Sequence, residues 1–184
     1  MNHPLGDETP RKKLATAQAT FALAVRVNSE VIAGRIRTTI YQRAVHVITG
    51  GTGVVLPPAY GADREDLLAG TFNLVIIALG ASALTADETL IEVFGPVDKD
   101  LDQTRTGLRI MIHQLRNAFA HNPWRPKWIV REKYRRSYVV PLGDTASFVF
   151  DATSLDGDGV KPDQIGGLES WIKLLKHCEA IVPK

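Results

Sequence analysis

The chain is short of several residue types, and each shortage excludes a class of protein. It has one cysteine, Cys178, in 184 residues, which excludes a disulfide framework and a cysteine-ligated zinc site and is usual in a reducing compartment. The net charge is only +2, so overall charge does not indicate a partner. Apolar residues are not scarce: at 45% they exclude a disordered protein and predict a single domain over 1–184.

No segment has the full pattern of a targeting sequence or a membrane anchor. Residues 11–25 begin with three basic side chains, but Thr16, Gln18 and Thr20 interrupt the apolar run that a signal peptide needs. Residues 67–86 lack charge over a membrane length, yet they contain two glycines and several polar residues. We interpret them as a core helix and expect a cytoplasmic protein with no membrane partner.

Apolar spacing predicts a mainly α fold. Apolar residues at steps near four or seven predict one long helix over 13–48, which ends at Thr49-Gly-Gly-Thr-Gly53. Asp63 is the predicted N-cap of the uncharged core helix, which runs to about Leu84. Two further helices are predicted at 86–94 and 100–121.

The remainder of the chain predicts a small β extension and a last helix. Residues 123–155 are assigned to a β-hairpin, with strands at 127–140 and 146–152, because β-branched and aromatic residues flank Pro141-Leu-Gly-Asp144. Residues 162–181 have helical apolar spacing that includes Cys178. We therefore expect Cys178 to be a core residue and not a nucleophile.

Charge is distributed unevenly along the chain. Residues 104–140 hold nine basic side chains against Glu132, and residues 63–103 hold nine acidic side chains against Arg64 and Lys99. This asymmetry indicates either a polyanionic partner or a protein surface that is complementary to itself.

Helix 100–121 has polar residues at every fourth position. Arginine binds phosphate oxygens and histidine transfers protons near neutral pH, so this stripe suits binding and cleavage of a phosphodiester. Ile110 falls among the polar groups, which predicts a homodimer formed through the 100–121 face. The stripe consists of Arg105, Arg109, His113, Asn117 and His121, with Arg116 beside it.

The segment Arg116-Asn-Ala-Phe-Ala-His121 resembles the Arg-polar-x-x-x-His signature of the HEPN superfamily. The resemblance covers residues 13–122 and implies an antiparallel helical bundle that dimerises across the signature. It also implies a metal-independent ribonuclease of the toxin or antiviral kind that cuts single-stranded RNA. It implies that Arg116 holds the scissile phosphate, His121 transfers a proton at the 2′-hydroxyl or the leaving oxygen, and Asn117 orients one of them. Pro123 stands where a nucleotidyltransferase-paired branch carries tyrosine, which disfavours that branch.

The same resemblance sets expectations for partners. We expect single-stranded RNA, a second copy of the chain, and an antitoxin or other regulatory protein; no metal or other cofactor is expected. Trp124 either stacks on bases or packs, whereas Trp128 is predicted to pack. The basic stretch 131–136 either extends the phosphate track or is a charged edge. The predicted RNA contacts are Arg105, Arg109, His113, Trp124, Arg125, Lys127 and Arg131.

Two other classes of function fit these residues. A HEPN-like module without catalysis could bind RNA or another protein. A helical dimer could use its charge blocks for assembly alone. RNA cleavage separates the first of these from an enzyme, and RNA affinity that falls steeply with salt separates the second.

Overall fold

The computed structural model describes residues 9–41, 44–49, 52–56, 63–100, 102–143 and 145–183. In these ranges the chain is mainly helical, with four α-helices and two antiparallel β-hairpins. It divides into two compact units: one comprises the chain up to Ala22 together with Ile76–Lys184, and the other is Leu23–Val75. The predicted mainly α class, the hairpin after residue 122 and the C-terminal helix are confirmed.

The first helix is shorter than the apolar spacing predicts. α1 spans Pro10–Ile32, and its buried side chains include Leu14 and Phe21. Gly34 follows with a φ of 72°, a left-handed conformation that terminates helices. The prediction of one helix over 13–48 is therefore wrong beyond Ile32.

A β-hairpin occupies the end of the segment that was expected to be helical. β1 (Val45–Thr49) pairs antiparallel with β2 (Thr52–Leu56), in a register that places Thr49 opposite Thr52. Both strands are rich in valine, and a four-residue apolar step fits the two-residue period of a strand as well as a helix. Gly50 and Gly51 of the predicted helix stop lie outside the described residues.

α2 spans Arg64–Phe94 as one continuous helix. The Asp63 carboxylate accepts hydrogen bonds from the backbone N–H groups of Glu65 and Asp66, at 2.7 and 2.9 Å, so the predicted N-cap is confirmed. The predicted break near Thr85 is wrong, because Thr85 donates its hydroxyl proton to the Ala81 carbonyl within the helix. The helix ends at Gly95, whose φ is 75°.

The composition of α2 bears on membrane association. By length and composition, the segment Arg64–Lys99 could cross a membrane, and 44% of its most apolar window is buried inside the chain. A single helix of this kind is weak evidence for a membrane protein, because core helices of soluble proteins pass the same test.

α3 (Gln103–His121) packs against the second hairpin. In this hairpin, β3 (Ser137–Pro141) pairs antiparallel with β4 (Ser147–Asp151). The first strand is shorter than the predicted 127–140, because a 3-10 turn at Glu132–Tyr134 interrupts the extended chain. Gly107 of α3 lies directly against the carbonyl oxygen of Val139, which allows helix and strand to approach closely.

Replacing Gly107 by alanine is expected to lower the free energy of unfolding by about 1–3 kcal/mol. The added Cβ would overlap the Val139 carbonyl oxygen, and a backbone atom cannot rotate away as a side chain can. Urea denaturation followed by fluorescence measures the change. Gly159→Ala is the matched control, because its Cβ meets nothing within 4 Å. Equal stability of the two variants would contradict this description of the contact.

The C-terminal segment is divided by two glycines. A 3-10 turn at Pro162–Ile165 precedes α4 (Leu168–Ile181), so the predicted helix over 162–181 begins later than expected. Trp171 of α4 is buried and donates its indole N–H to Ser82 of α2 at 2.9 Å. Cys178 is also buried, and burial raises the pKa of its thiol to about 12, which confirms it as a core residue.

Candidate functional site

α3 is buried along most of its circumference. The Asp102 side chain accepts a hydrogen bond from the N–H of Thr104 at 2.9 Å and caps the helix. Ile110, predicted at a seam between two subunits, is buried within the chain itself, so that argument for the seam is wrong. The predicted apolar face is confirmed as core, since its four residues are all buried: Leu108, Ile112, Leu115 and Phe119.

Two arginines of the predicted stripe bind a buried carboxylate instead of facing solvent. Arg105 donates two hydrogen bonds to Asp100, at 2.8 and 2.9 Å, and Arg109 donates one at 2.5 Å. Arg109 also donates to the Gly95 carbonyl and is 2% exposed. Its predicted role as an RNA contact is therefore wrong. Arg105 is mostly buried and additionally pairs with Asp102.

Asp87 of α2 joins the centre of the stripe. Both oxygens of its carboxylate lie near Nδ1 of His113, at 3.2 and 3.3 Å. Oδ2 is also 3.9 Å from Nε of Arg116, and Arg116 donates a hydrogen bond to the side chain of Asn117 at 3.1 Å. We call Asp87, His113, Arg116 and Asn117 the Asp87 cluster. It brings a cation, an imidazole and an amide together at the partly exposed side of α3.

A second contact fixes the imidazole of this cluster. The Tyr134 ring meets the His113 ring in an edge arrangement, with centroids 6.3 Å apart. The Tyr134 hydroxyl donates to Asp98, which also accepts a hydrogen bond from Lys133 at 2.6 Å. Burial and the contact with Asp98 raise the pKa of Tyr134, so its hydroxyl remains protonated at neutral pH.

Arg116 borders an apolar groove between α2 and α3. The groove has a volume of about 250 Å³, and Ile77, Leu84 and Phe119 contribute to its walls. At its base, Gly80 lies so close to the Phe119 ring that any larger residue would overlap it. The guanidinium group of Arg116 therefore sits where an apolar surface meets the polar side of α3.

His121 lines a different depression from Arg116. This depression, about 540 Å³ in volume, is lined by His121 together with Arg125, Lys127 and Asp156. The His121 side chain is exposed and has no hydrogen-bond partner among the residues that the structure describes. The two signature residues thus line different depressions near the end of α3.

The chain turns sharply after α3 and places its two tryptophans in opposite environments. The Asn122 side chain accepts hydrogen bonds from the backbone N–H groups of Trp124 and Arg125, each at 3.1 Å. Trp124 is 63% exposed, whereas Trp128 is fully buried. The predicted packing role of Trp128 is confirmed, and the side chain of Trp124 is available to a ligand.

The basic residues beyond α3 differ in their exposure and in the ion pairs that the structure shows for them. Arg125, Lys127 and Arg131 are exposed, as an RNA-contacting role requires. Arg135 pairs with Asp156 at 2.5 Å, and Lys133 pairs with Asp98. The stretch 131–136 therefore retains less unpaired charge than its sequence indicates.

Asp87 is the site residue that sequence reasoning missed. The separate helix predicted over 86–94 placed Asp87 in its first turn, although α2 runs through this position without a break. A signal was present: Asp87 lies among Ala83, Ala86 and Leu90 on a face that is otherwise apolar and is now seen to be buried. A carboxylate on such a face needs a partner.

Comparison with known proteins gives no relative for this chain. No protein-family model, curated protein or solved structure matches it. In the part of the chain that the structure describes, no group of three or more His, Cys, Asp or Glu side chains could hold a metal ion.

Proposed function

We propose that the chain is a HEPN-like, metal-independent endoribonuclease that cleaves single-stranded RNA. Arg116 holds the scissile phosphate, Asn117 orients Arg116, and His121 transfers a proton. RNA supplies its own nucleophile, the 2′-hydroxyl, so the protein needs to provide acid–base catalysis and charge stabilisation only.

The observation that carries this proposal is the polar end of α3. It combines an arginine hydrogen-bonded to an amide, at 3.1 Å, with an exposed histidine five residues further along the same helix. Beyond the helix, the exposed side chains of Trp124, Arg125 and Lys127 adjoin this surface. Aromatic rings interleaved with cations are typical of surfaces that bind unpaired nucleotides.

The proposal extends to location and partners. The enzyme acts in the cytoplasm, on RNA, and its activity is restrained by an antitoxin or another regulatory protein. It works as a homodimer through the partly exposed side of α3, where His113, Asn117 and Ala120 reach solvent. The charge asymmetry along the chain supports a face that is complementary to itself.

Labelled single-stranded RNA incubated with the protein and EDTA tests this function. We expect wild-type cleavage that leaves 2′,3′-cyclic phosphate ends. Arg116→Ala is expected to lower the cleavage rate about 10²-fold or more, because it removes the positive charge that binds the phosphate. His121→Ala is expected to lose about 10²–10⁴-fold.

Two variants of the same residue types serve as controls. Arg26→Ala and His177→Ala remove an exposed arginine of α1 and a partly exposed histidine of α4, and both should cleave at the wild-type rate. Cleavage that survives in Arg116→Ala and His121→Ala would contradict the proposal. RNA binding without cleavage would favour the catalytically inactive binding module.

A further inference from the structure

We propose that His113 removes the proton of the RNA 2′-hydroxyl and that Asp87 is the positioning residue that presents it. This inference rests on the proposed function, since it assigns a second proton-transfer group within the same site. Neither residue belongs to the Arg-polar-x-x-x-His signature. The geometry of the Asp87 cluster is what points to them.

The contact between Asp87 and His113 sets the proton on the imidazole. The Asp87 carboxylate offers both oxygens to Nδ1, at 3.2 and 3.3 Å. An ionised carboxylate can only accept hydrogen bonds, so Nδ1 carries the proton and Nε2 of the neutral ring keeps its lone pair. A general base requires that free lone pair.

Asp87 is more deeply buried than His113, as a positioning residue and a base that contacts substrate should be. The Asp87 side chain is 7% exposed, and the His113 side chain is 25% exposed. The carboxylate is therefore anchored inside, while the imidazole reaches the surface. Tyr134 also meets the ring in an edge arrangement, so side chains from two separate elements limit its orientation.

The charges around His113 match the chemistry of the step. Arg116, which holds the phosphate in the proposed function, lies 3.9 Å from the same Asp87 carboxylate. Asp98 and Lys133 lie beyond Tyr134 and are bound to each other. The base and the phosphate clamp therefore both lie within 4 Å of one buried carboxylate.

The reaction balances without a co-reactant. The 2′-hydroxyl proton passes to Nε2 of His113, and the 2′-oxygen forms a bond to phosphorus. The bond between phosphorus and the 5′-oxygen breaks, and that oxygen leaves with a proton from His121. The products are a 2′,3′-cyclic phosphate and a 5′-hydroxyl, and solvent water returns the proton from His113 to His121.

An RNA and an activated substrate distinguish the two histidines. Uridine 3′-(4-nitrophenyl phosphate) releases nitrophenolate, which needs no proton. On RNA, we expect His113→Ala and His121→Ala each to lose about 10²–10⁴-fold. On the activated substrate, His121→Ala should cleave at close to the wild-type rate, because the leaving group needs no proton. His113→Ala should still cleave slowly, because the 2′-hydroxyl has lost its base.

Variants of Asp87 test its positioning role. Asp87→Asn should lose activity comparably to His113→Ala, because an amide does not fix the tautomer, and Asp87→Glu should restore part of it. Ring-nitrogen NMR supplies a readout besides activity. The neutral His113 ring should carry its proton on Nδ1 in the wild type, and this preference should weaken in Asp87→Asn.

The outcomes separate this inference from the proposed function. Wild-type cleavage that His113→Ala retains would overturn the assignment and leave the proposed function intact. An unprotonated Nδ1 in the neutral wild-type ring would also overturn it, whether or not RNA is cut. Failure of the wild type to cleave either substrate would overturn the proposed function and this assignment together.

Discussion

Replacing Asp100 by asparagine is expected to lower the free energy of unfolding by about 3–5 kcal/mol at neutral pH. The Asp100 side chain is 3% exposed and accepts hydrogen bonds from both Arg105 and Arg109. An amide of the same size leaves the Arg109 guanidinium group without its counter-charge, although Arg105 still pairs with Asp102, and Arg109 is too deeply buried to be hydrated. The loss therefore arises from uncompensated buried charge and not from a cavity.

This loss should depend on pH in a defined direction. Burial acts to raise the pKa of Asp100, but the hydrogen bonds from Arg105 and Arg109 outweigh it and hold that pKa well below its usual range. A carboxyl with a lowered folded-state pKa stabilises the protein above its unfolded pKa of about 3.9 and loses that contribution as the pH falls toward the folded value. The difference in free energy of unfolding between wild type and Asp100→Asn should therefore become smaller below about pH 3.9.

A surface ion pair provides the control for Asp100. Glu169 pairs with Lys173 at 2.8 Å, and both side chains are exposed. Glu169→Gln is expected to change the free energy of unfolding by about 1 kcal/mol or less. Urea denaturation at several pH values measures both variants. An effect of Asp100→Asn as small as that of Glu169→Gln would contradict the role given to the buried pair.

Replacing Trp128 by alanine is expected to cost about 3–5 kcal/mol of unfolding free energy. The indole is fully buried, packs on Phe150 with ring centroids 5.5 Å apart, and donates its N–H to Gln164 at 2.8 Å. The substitution opens a cavity and leaves the Gln164 oxygen without that donor. Thermal and urea denaturation measure the loss.

The neighbouring Trp124 should show the opposite response. Its side chain is largely exposed, so Trp124→Ala should alter the free energy of unfolding by about 0.5 kcal/mol or less. The affinity of the Trp124→Ala protein for a single-stranded oligonucleotide should fall by about 1–3 kcal/mol, because a stacking surface for one base is lost. Unchanged affinity would assign Trp124 to neither stacking nor packing.

Among the helix boundaries predicted from sequence, the Asp63 cap is correct, whereas the end of α1 and the break at Thr85 are wrong. Asp63 caps α2 as its position predicts, because a capping carboxylate acts on N–H groups two and three residues away. The end of α1 was misplaced, since apolar steps of four fit strand and helix alike. The predicted break at Thr85 failed because a threonine hydroxyl also binds carbonyls inside a helix.

The candidate site was only partly predictable for a similar reason. The order of residues places Arg116, Asn117 and His121 at the end of one helix, and the structure has them there. Periodicity cannot show which polar residues find buried partners on other elements. Arg109 binds Asp100 and is buried. Asp87, which contacts His113, is 26 residues away from it in sequence and lies on a different helix.

The contact between Gly80 and Phe119 has a consequence for the evolution of this chain. Even a methyl group on residue 80 would overlap the Phe119 ring, so a substitution at 80 requires a smaller residue at 119. Phe119 also lies inside the 116–121 segment, where selection on chemistry would already restrict change. Selection for packing therefore also acts on residue 80 of α2. In sequences that diverge elsewhere, the residues at 80 and 119 should vary together.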